Sequence, residues 1–171
     1  MARLKSPWIV VAVWFGLIFL TSNGLVTVAE LSQAVAWISG GRVPAEGFKQ
    51  FWLQIWWFVV KGWHVAEFAA LFLLLRLAFK KSIWPPIAIA ALIAVSDEIH
   101  QTYIPGRGGR LSDVCLDLVG ILVAAYLSEN GSKLTRLQKV LIALGVVGLI
   151  YVFAMFPFGQ LNLGRASQTG L

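Results

Sequence analysis

Charged residues are scarce in this chain, at 13% of its 171 residues, whereas 58% are hydrophobic. A soluble globular domain carries roughly 25% charged residues, so the composition excludes that class of protein. The mean hydropathy is +0.78, and several apolar runs approach the roughly 20 residues that a helix needs to cross the hydrocarbon layer. The sequence therefore predicts an integral membrane protein, built as an all-α polytopic helix bundle.

Cysteine and familiar catalytic motifs are also nearly absent. Cys115 is the only cysteine, so the chain cannot form an internal disulfide, and its apolar surroundings predict a packing role. The sequence contains no His-Glu-x-x-His zinc motif, no Gly-x-Ser-x-Gly nucleophile elbow and no Walker phosphate loop. A function must therefore be sought in the few polar residues that the apolar segments carry.

The 14 basic residues give a net charge of +6, but they form short clusters between apolar segments rather than one stripe. Such clusters are typical of topology signals and of contacts with anionic lipids, so we expect no nucleic-acid partner. The positive-inside rule then places the N-terminus and eight basic residues on the cytoplasmic side of the inner or plasma membrane. These eight are Arg3, Lys5, Arg76, Lys80, Lys81, Lys133, Arg136 and Lys139.

We predict about five transmembrane helices, with an interfacial helix at about Val26–Ile38 between the first and the second. The second helical pattern runs from Phe48 to Phe79, which is too long for one perpendicular crossing of a ~30 Å core. Because tryptophans are clustered in its first part and favour the headgroup level, we expect Phe48–Val60 to be interfacial or tilted. The five spans are about Pro7–Ser22, Lys61–Leu77, Trp84–Gln101, Asp113–Leu127 and Val140–Phe156.

Turn signals separate these spans. Ser112 is the expected N-cap of the fourth span, and Ser128–Lys139 is the predicted polar connector to the fifth, which should stop at Pro157.

Within the fourth span, Gly120 would let a neighbouring helix approach closely. Residues 1–157 are thus predicted to form one transmembrane domain, and residues 158–171 a polar tail.

This layout brings distant polar residues to one depth, at the outer ends of the first four spans. Five of the eight acidic residues and both histidines gather there, which chance placement would not favour. Glu98 points about 100° away from Asp97 on the helix that carries both. The predicted cluster comprises Ser22, Asn23, Lys61, His64, Glu67, Asp97, Glu98, His100, Gln101, Arg110, Asp113 and Asp117.

The start of the fourth span limits which ligands this cluster accepts. Asp113 and Asp117 lie in its opening turns, where the helix dipole stabilises a carboxylate but the carboxylate repels an incoming anion. A phosphate would therefore need a basic residue or a bridging cation, and arginine suits phosphate through its planar fork. The candidate phosphate contacts are Arg107, Arg110 and Lys61.

A divalent cation is an additional candidate ligand, while the identity of any cofactor stays open. Carboxylates bind hard cations such as Mg²⁺, and zinc accepts carboxylates together with imidazole. The candidate metal ligands are Asp97, Glu98, Asp113, Asp117 and His64.

The polar residues of the middle of the chain form three short motifs, Asp97-Glu98-x-x-Gln101, Pro105-Gly106-Arg107 and Asp113-x-x-x-Asp117-x-x-Gly120. These motifs resemble those of the VanZ-like family of small membrane proteins, and Lys61-x-x-His64 and Ser22 match its weaker upstream elements. The resemblance covers roughly residues 8–127. The chain departs from the family where Asp117 replaces a common Asn and where Ser22-Asn23-Gly24 replaces Ser-Ser-Gln. The resemblance implies a cell-envelope role linked to low-level teicoplanin resistance, without a settled chemistry.

We expect the cluster to bind a membrane lipid, namely a phosphate-bearing envelope lipid or a lipid-linked precursor. Whether it also catalyses a reaction stays open, as does the oligomeric state. The candidate catalytic residues are His64, Asp97, Glu98 and Asp113. The candidate substrate-binding residues are Lys61, Glu67, Gln101, Arg107, Arg110 and Asp117.

Three alternatives explain the same residues. Ion pairs within the cluster could serve only to fix the helix packing, in which case an arginine would neutralise Asp113 and Asp97, and Lys61 would meet Glu67 or Glu98. A transporter could use the carboxylates and histidines as a proton relay. An accessory protein could recruit an envelope enzyme through residues 25–60.

Overall fold

The computed structural model describes residues 6–24, 27–79, 82–105 and 107–156. Over these ranges the chain forms six α-helices and no β-strand, which confirms the all-α prediction. The helices are α1 (Pro7–Ser22), α2 (Val28–Ile38), α3 (Ala45–Phe79), α4 (Trp84–Thr102), α5 (Leu111–Asn130) and α6 (Arg136–Met155).

Helix α2 starts two residues later than predicted because a capping box defines its first turn. The Thr27 hydroxyl accepts a hydrogen bond from the Glu30 amide, and the Glu30 carboxylate accepts one from the Thr27 amide at 2.7 Å. The Thr27 amide and hydroxyl both donate to this carboxylate, which lowers the pKa of Glu30. Residues 25 and 26, where the prediction placed the helix start, lie outside the described residues.

The predicted boundaries of α5 and α6 were wrong in two places. Arg110, not Ser112, is the N-cap of α5, and the Ser112 hydroxyl instead contacts the Asp113 carboxylate at 3.2 Å. The connector is also shorter than predicted, because α5 continues to Asn130 and a Thr135–Gln138 capping box starts α6 at Arg136. The predicted stop at Pro157 and the tail lie outside the described residues, so the domain limits stay a prediction.

Helix α3 is the centre of the fold. It is continuous over 35 residues, about 52 Å at 1.5 Å per residue, so the predicted interfacial part and the second span are one helix. It contacts each of the other five described helices. Its buried apolar residues Phe68, Leu71, Phe72 and Leu75 pack against small or branched side chains of α1, α4 and α5. Along α3, the apolar core therefore lies on the C-terminal side of the polar residues in the middle of the helix.

The closest packing of the bundle is between α3 and α5. A Cβ atom added at Gly120 would collide with the main-chain carbonyl of Val65, so the two helix backbones touch there. This contact confirms the predicted close approach at Gly120, which a small residue permits. It also places the start of α5 directly beside the middle of α3.

Three of the described helices, α3, α5 and α6, are long and apolar enough to cross a membrane by length and composition. Helix α1 has only 16 residues, about 24 Å of helix, and α4 ends in the polar residues of the cluster, which lower its hydropathy. The predicted number of five spans therefore stays a prediction, although all five predicted segments are helical. Helix α6 exposes apolar side chains along most of its length, as expected for a helix in contact with lipid.

Candidate functional site

Polar side chains from four helices meet in a buried group, which we call the polar cluster. Its members are Ser22 of α1, Lys61, His64 and Glu67 of α3, Asp97, Glu98 and Gln101 of α4, and Asp113 and Asp117 of α5, all of them buried. The structure therefore brings together residues that lie up to 95 positions apart. Their catalytic and binding roles stay predictions.

Lys61 and Asp113 form the central ion pair of the cluster. The Lys61 ammonium donates to Oδ1 of Asp113, and the side chains are only 3% and 9% exposed. The expected pairing of Lys61 with Glu67 or Glu98 was wrong, because the contact at Gly120 brings the first turn of α5 beside this part of α3.

His64 lies between the two carboxylates of α5. Its Nδ1 atom is 3.0 Å from Oδ1 of Asp117, and its Nε2 atom is 4.0 Å from Oδ2 of Asp113. Asp117 is fully buried, and its second oxygen, Oδ2, has no hydrogen-bond partner among the described residues. An unpartnered buried carboxylate oxygen is costly, which marks this side of the cluster as incomplete.

The carboxylates of α4 share the Gln101 amide, which also contacts Oε1 of Glu98 at 3.4 Å, and they differ in their other partners. Asp97 accepts hydrogen bonds from the Ser22 hydroxyl at 2.5 Å and from the Gln101 amide at 2.8 Å. Glu98 accepts one from the main-chain amide of Arg110 at 2.8 Å. Glu98 points to a different side of α4 from Asp97. It still belongs to the cluster, because the chain before α5 folds back over the side of α4 that carries Glu98. A Cβ atom at Gly109 would collide with the Glu98 carbonyl.

The two arginines do not neutralise Asp97 and Asp113, so that expectation was wrong. The Arg107 guanidinium donates to Oε1 of Gln101 at 3.0 Å, and its aliphatic part packs against Gly24. Arg110 reaches the cluster through its main-chain amide. Gln101 thus connects Arg107 to Asp97, and the two charged side chains form no direct ion pair.

The polar cluster carries an excess of negative charge. It holds five carboxylates but only Lys61 and His64 as basic groups. Even with a protonated histidine, three negative charges would remain uncompensated if every carboxylate were ionised. Because buried charges need a partner, the cluster must take up protons or a positively charged ligand.

A cavity of about 270 Å³ opens beside the cluster. Its polar lining residues are Thr21, Ser22, His64, Glu67, Gln101 and Arg107. Its apolar lining residues, Val59, Val60 and Trp63, lie on α3 together with His64 and Glu67. The cavity thus has a mixed lining that suits an amphiphilic molecule.

Four of the ten predicted site residues line this cavity, namely His64, Glu67, Gln101 and Arg107. The other predicted acids and Lys61 lie behind these lining residues, in contact with them through His64 and Gln101. His100, which was placed in the cluster, instead stacks on Phe19 at 4.2 Å and contacts Asn23 at 3.3 Å.

Four residues of the cavity lining were not predicted from the sequence, namely Thr21, Val59, Val60 and Trp63. Thr21 donates to the Glu67 carboxylate at 2.9 Å, but a threonine near the end of an apolar helix gives no pattern that predicts this contact. Trp63 was assigned only to the interfacial tryptophans. Its position next to His64 gave no signal, because adjacent residues of a helix point about 100° apart.

Comparison with known protein families gives a match over most of the helical bundle. The family model described as VanZ/LLP1 matches residues 7–130, which is more than half of the chain and extends from α1 to the end of α5. No curated protein and no solved structure shows significant similarity to the chain.

Proposed function

The chain belongs to the VanZ/LLP1 family of membrane proteins, and we propose that its cavity binds the phosphate-bearing head of an envelope lipid or lipid-linked precursor. The observation that carries this proposal is the mixed lining of the cavity, which Arg107 and Trp63 both border. The family's link to glycopeptide resistance favours a ligand from the cell envelope.

Arg107 supplies the contact for the phosphate. Among the residues that the structure describes, Arg107 is the one lysine or arginine that lines the cavity. One of its donors is bonded to Gln101, and a guanidinium has five donors in a planar fork that matches phosphate oxygens. The bond to Gln101 fixes the fork beside the cavity, which lowers the entropy cost of binding.

The apolar lining residues supply the contact for the hydrocarbon chain. Val59, Val60 and Trp63 are 42%, 38% and 47% exposed, and they lie on α3, one of the helices long and apolar enough to cross the membrane. A tryptophan at the headgroup level tolerates both apolar and polar neighbours. A lipid could therefore enter from the bilayer with its head toward Arg107.

His64 is the candidate for chemistry on the bound head. It is the one member of the predicted catalytic set that lines the cavity, and Asp117 at 3.0 Å holds its ring in place. A positioned imidazole can accept or donate a proton at a phosphate ester or an attacking water. Asp97, Glu98 and Asp113 would then act behind the lining residues, as positioning residues.

Lipid retention tests the proposal. The purified protein is mixed in detergent with undecaprenyl phosphate or undecaprenol, and native mass spectrometry measures the bound fraction. We expect retention of the phosphate form and about 10- to 150-fold weaker retention by Arg107→Ala, since a charge-assisted hydrogen bond contributes about 1.5–3 kcal/mol. Release of inorganic phosphate from the same lipid, if abolished by His64→Gln, identifies a reaction.

Arg42→Ala is the matched control, because Arg42 is exposed in the turn between α2 and α3. It should retain the lipid like the unchanged protein. Arg110→Ala should cost less than Arg107→Ala, because its main-chain bond to Glu98 survives. Equal retention of both lipids, or unchanged retention by Arg107→Ala, would contradict the proposal.

A transporter is less well supported by the distribution of polar residues. Apart from Ser32, the buried polar side chains of the described chain all lie in or next to the polar cluster. A transport path needs polar groups through the full thickness of the membrane. Flux of a substrate into proteoliposomes that depends on His64 would favour the transporter instead.

A further inference from the structure

We propose that His64, Glu98 and Asp117 bind a divalent transition-metal ion beside the cavity. The three side chains come from α3, α4 and α5, and all are buried. One nitrogen or oxygen atom from each lies within 4.8 Å of the other two. The proposal concerns a metal site and does not depend on the lipid as ligand.

The spacing of these atoms suits a shared ion. Two ligands bound at 2.0–2.2 Å lie roughly 3.0–3.4 Å apart in tetrahedral or octahedral geometry, and His64 Nδ1 is 3.0 Å from Asp117 Oδ1. Small side-chain shifts would bring Glu98 to the same ion. The other carboxylates are less suitable, because Asp113 pairs with Lys61 and Asp97 is bonded to Ser22 and Gln101.

Asp117 gives independent support for a positively charged ligand. Its Oδ2 atom is buried and has no hydrogen-bond partner in the described part of the chain. The surrounding cluster holds more carboxylates than basic groups. A divalent ion held by both oxygens of Asp117 would occupy the free Oδ2 and would also reduce the excess negative charge of the cluster.

The set of ligands identifies the class of ion. Imidazole favours Zn²⁺ and Fe²⁺ over Mg²⁺ and Ca²⁺, and carboxylates are also accepted by Mn²⁺. Three protein ligands leave at least one coordination position open, as in catalytic rather than structural zinc sites. Since His64 also lines the cavity, the ion would lie next to whatever the cavity binds.

Metal uptake by the full-length protein tests this site. The protein is stripped with a chelator in detergent, equilibrated with Zn²⁺ or Mn²⁺, desalted and analysed for metal by mass spectrometry. We expect about one ion per chain, and a Kd weakened by about 100-fold or more in Asp117→Asn and His64→Gln. Mg²⁺ at the same concentration should bind far more weakly.

Glu129→Gln is the control variant, since it removes one negative charge from α5 at an ion pair far along the helix from Asp117. It should bind the ion as the unchanged protein does. Size-exclusion profiles and helical circular dichroism show that each variant is folded, and Glu98→Gln replaces any variant that is not. Absence of uptake by the unchanged protein, or full uptake by a folded Asp117→Asn variant, would overturn the proposal. Lipid retention in excess chelator is measured separately, so that the two proposals can fail independently.

Discussion

Lys61 is the residue on which the charge balance of the polar cluster depends most. It is the sole buried lysine or arginine among the described residues, and it lies among five buried carboxylates. Its ammonium group contacts Asp113 directly. A buried ion pair adds little stability compared with apolar residues, but removal of one partner leaves the other charge uncompensated.

We expect Lys61→Met to lower the free energy of unfolding in detergent by about 3–5 kcal/mol, because it removes a buried positive charge from an acidic group. The double variant Lys61→Met with Asp113→Leu should recover most of this loss. A denaturant titration followed by circular dichroism measures both values.

Glu129→Gln provides the comparison at the residue scale. Its ion pair with Arg76 is 3.1 Å long, but the Glu129 side chain is 48% exposed, so this change should cost less than about 1 kcal/mol. An equally small cost for Lys61→Met would show that the central pair does not compensate charge in the way proposed.

At the scale of helices, the contact between α3 and α5 determines the geometry of the site. Gly120 of α5 touches the main chain at Val65 of α3. Val65 directly follows His64, and Gly120 lies three residues after Asp117. Any displacement of α5 away from α3 at this point would separate His64 from Asp117. The distance between His64 and Asp117 therefore depends on the backbone contact between Gly120 and Val65.

We expect Gly120→Ala to destabilise the protein by about 1–3 kcal/mol, because its methyl group would overlap the Val65 carbonyl and force the helices apart. The same change should weaken metal uptake if His64 and Asp117 share an ion. The thermal unfolding midpoint in detergent, measured with and without Zn²⁺, reports both effects.

Gly145→Ala is the matched control for this change, because a Cβ atom at Gly145 of α6 meets nothing within 4 Å. Alanine there should be neutral or stabilise by up to about 1 kcal/mol, since alanine has the higher helix propensity. If both substitutions have the same effect, the α3–α5 contact is not as tight as the structure indicates.

At the scale of the molecule, the bundle has two chemically different ends. Arg76 and Glu129 pair near the C-termini of α3 and α5, and the basic turn that leads to α6 follows at the same end. The polar cluster lies toward the other end, where Trp57 of α3 contacts Tyr151 of α6. This separation agrees with a basic cytoplasmic end and a cluster nearer the outer face, but the orientation itself is a prediction.

Labelling with a membrane-impermeant maleimide tests the orientation in intact cells. Arg42→Cys lies in the turn between α2 and α3, and Ser132→Cys lies in the turn between α5 and α6; both positions are exposed. We expect Arg42→Cys to react in intact cells and Ser132→Cys to react only after lysis. The unchanged protein, which has only Cys115, controls for background, and the reverse pattern would show that the predicted orientation is wrong.

Most of the helices could be predicted from the sequence because their signals are local. Apolar runs, the proline at the start of α1 and the polar turns all act within a few residues of the boundary that they define. The errors at the two helix starts are also local: Ser112 lies inside α5, whose N-cap Arg110 makes no side-chain cap bond, and α6 starts at Arg136, four residues before the predicted Val140. The capping box of α6, Thr135 with Gln138, was present in the sequence and could have been found.

The alternation of apolar and polar segments is enough to predict a helical membrane protein with polar residues near the ends of several helices, because both features follow from local stretches of the chain. Which of these residues touch is set by the folded bundle. Lys61 pairs with Asp113, Glu98 binds the Arg110 amide, and Arg107 rather than Arg110 lines the cavity. Such partners depend on the rotation of each helix about its axis and on the path of the chain before α5, and the periodicity of a single helix contains neither.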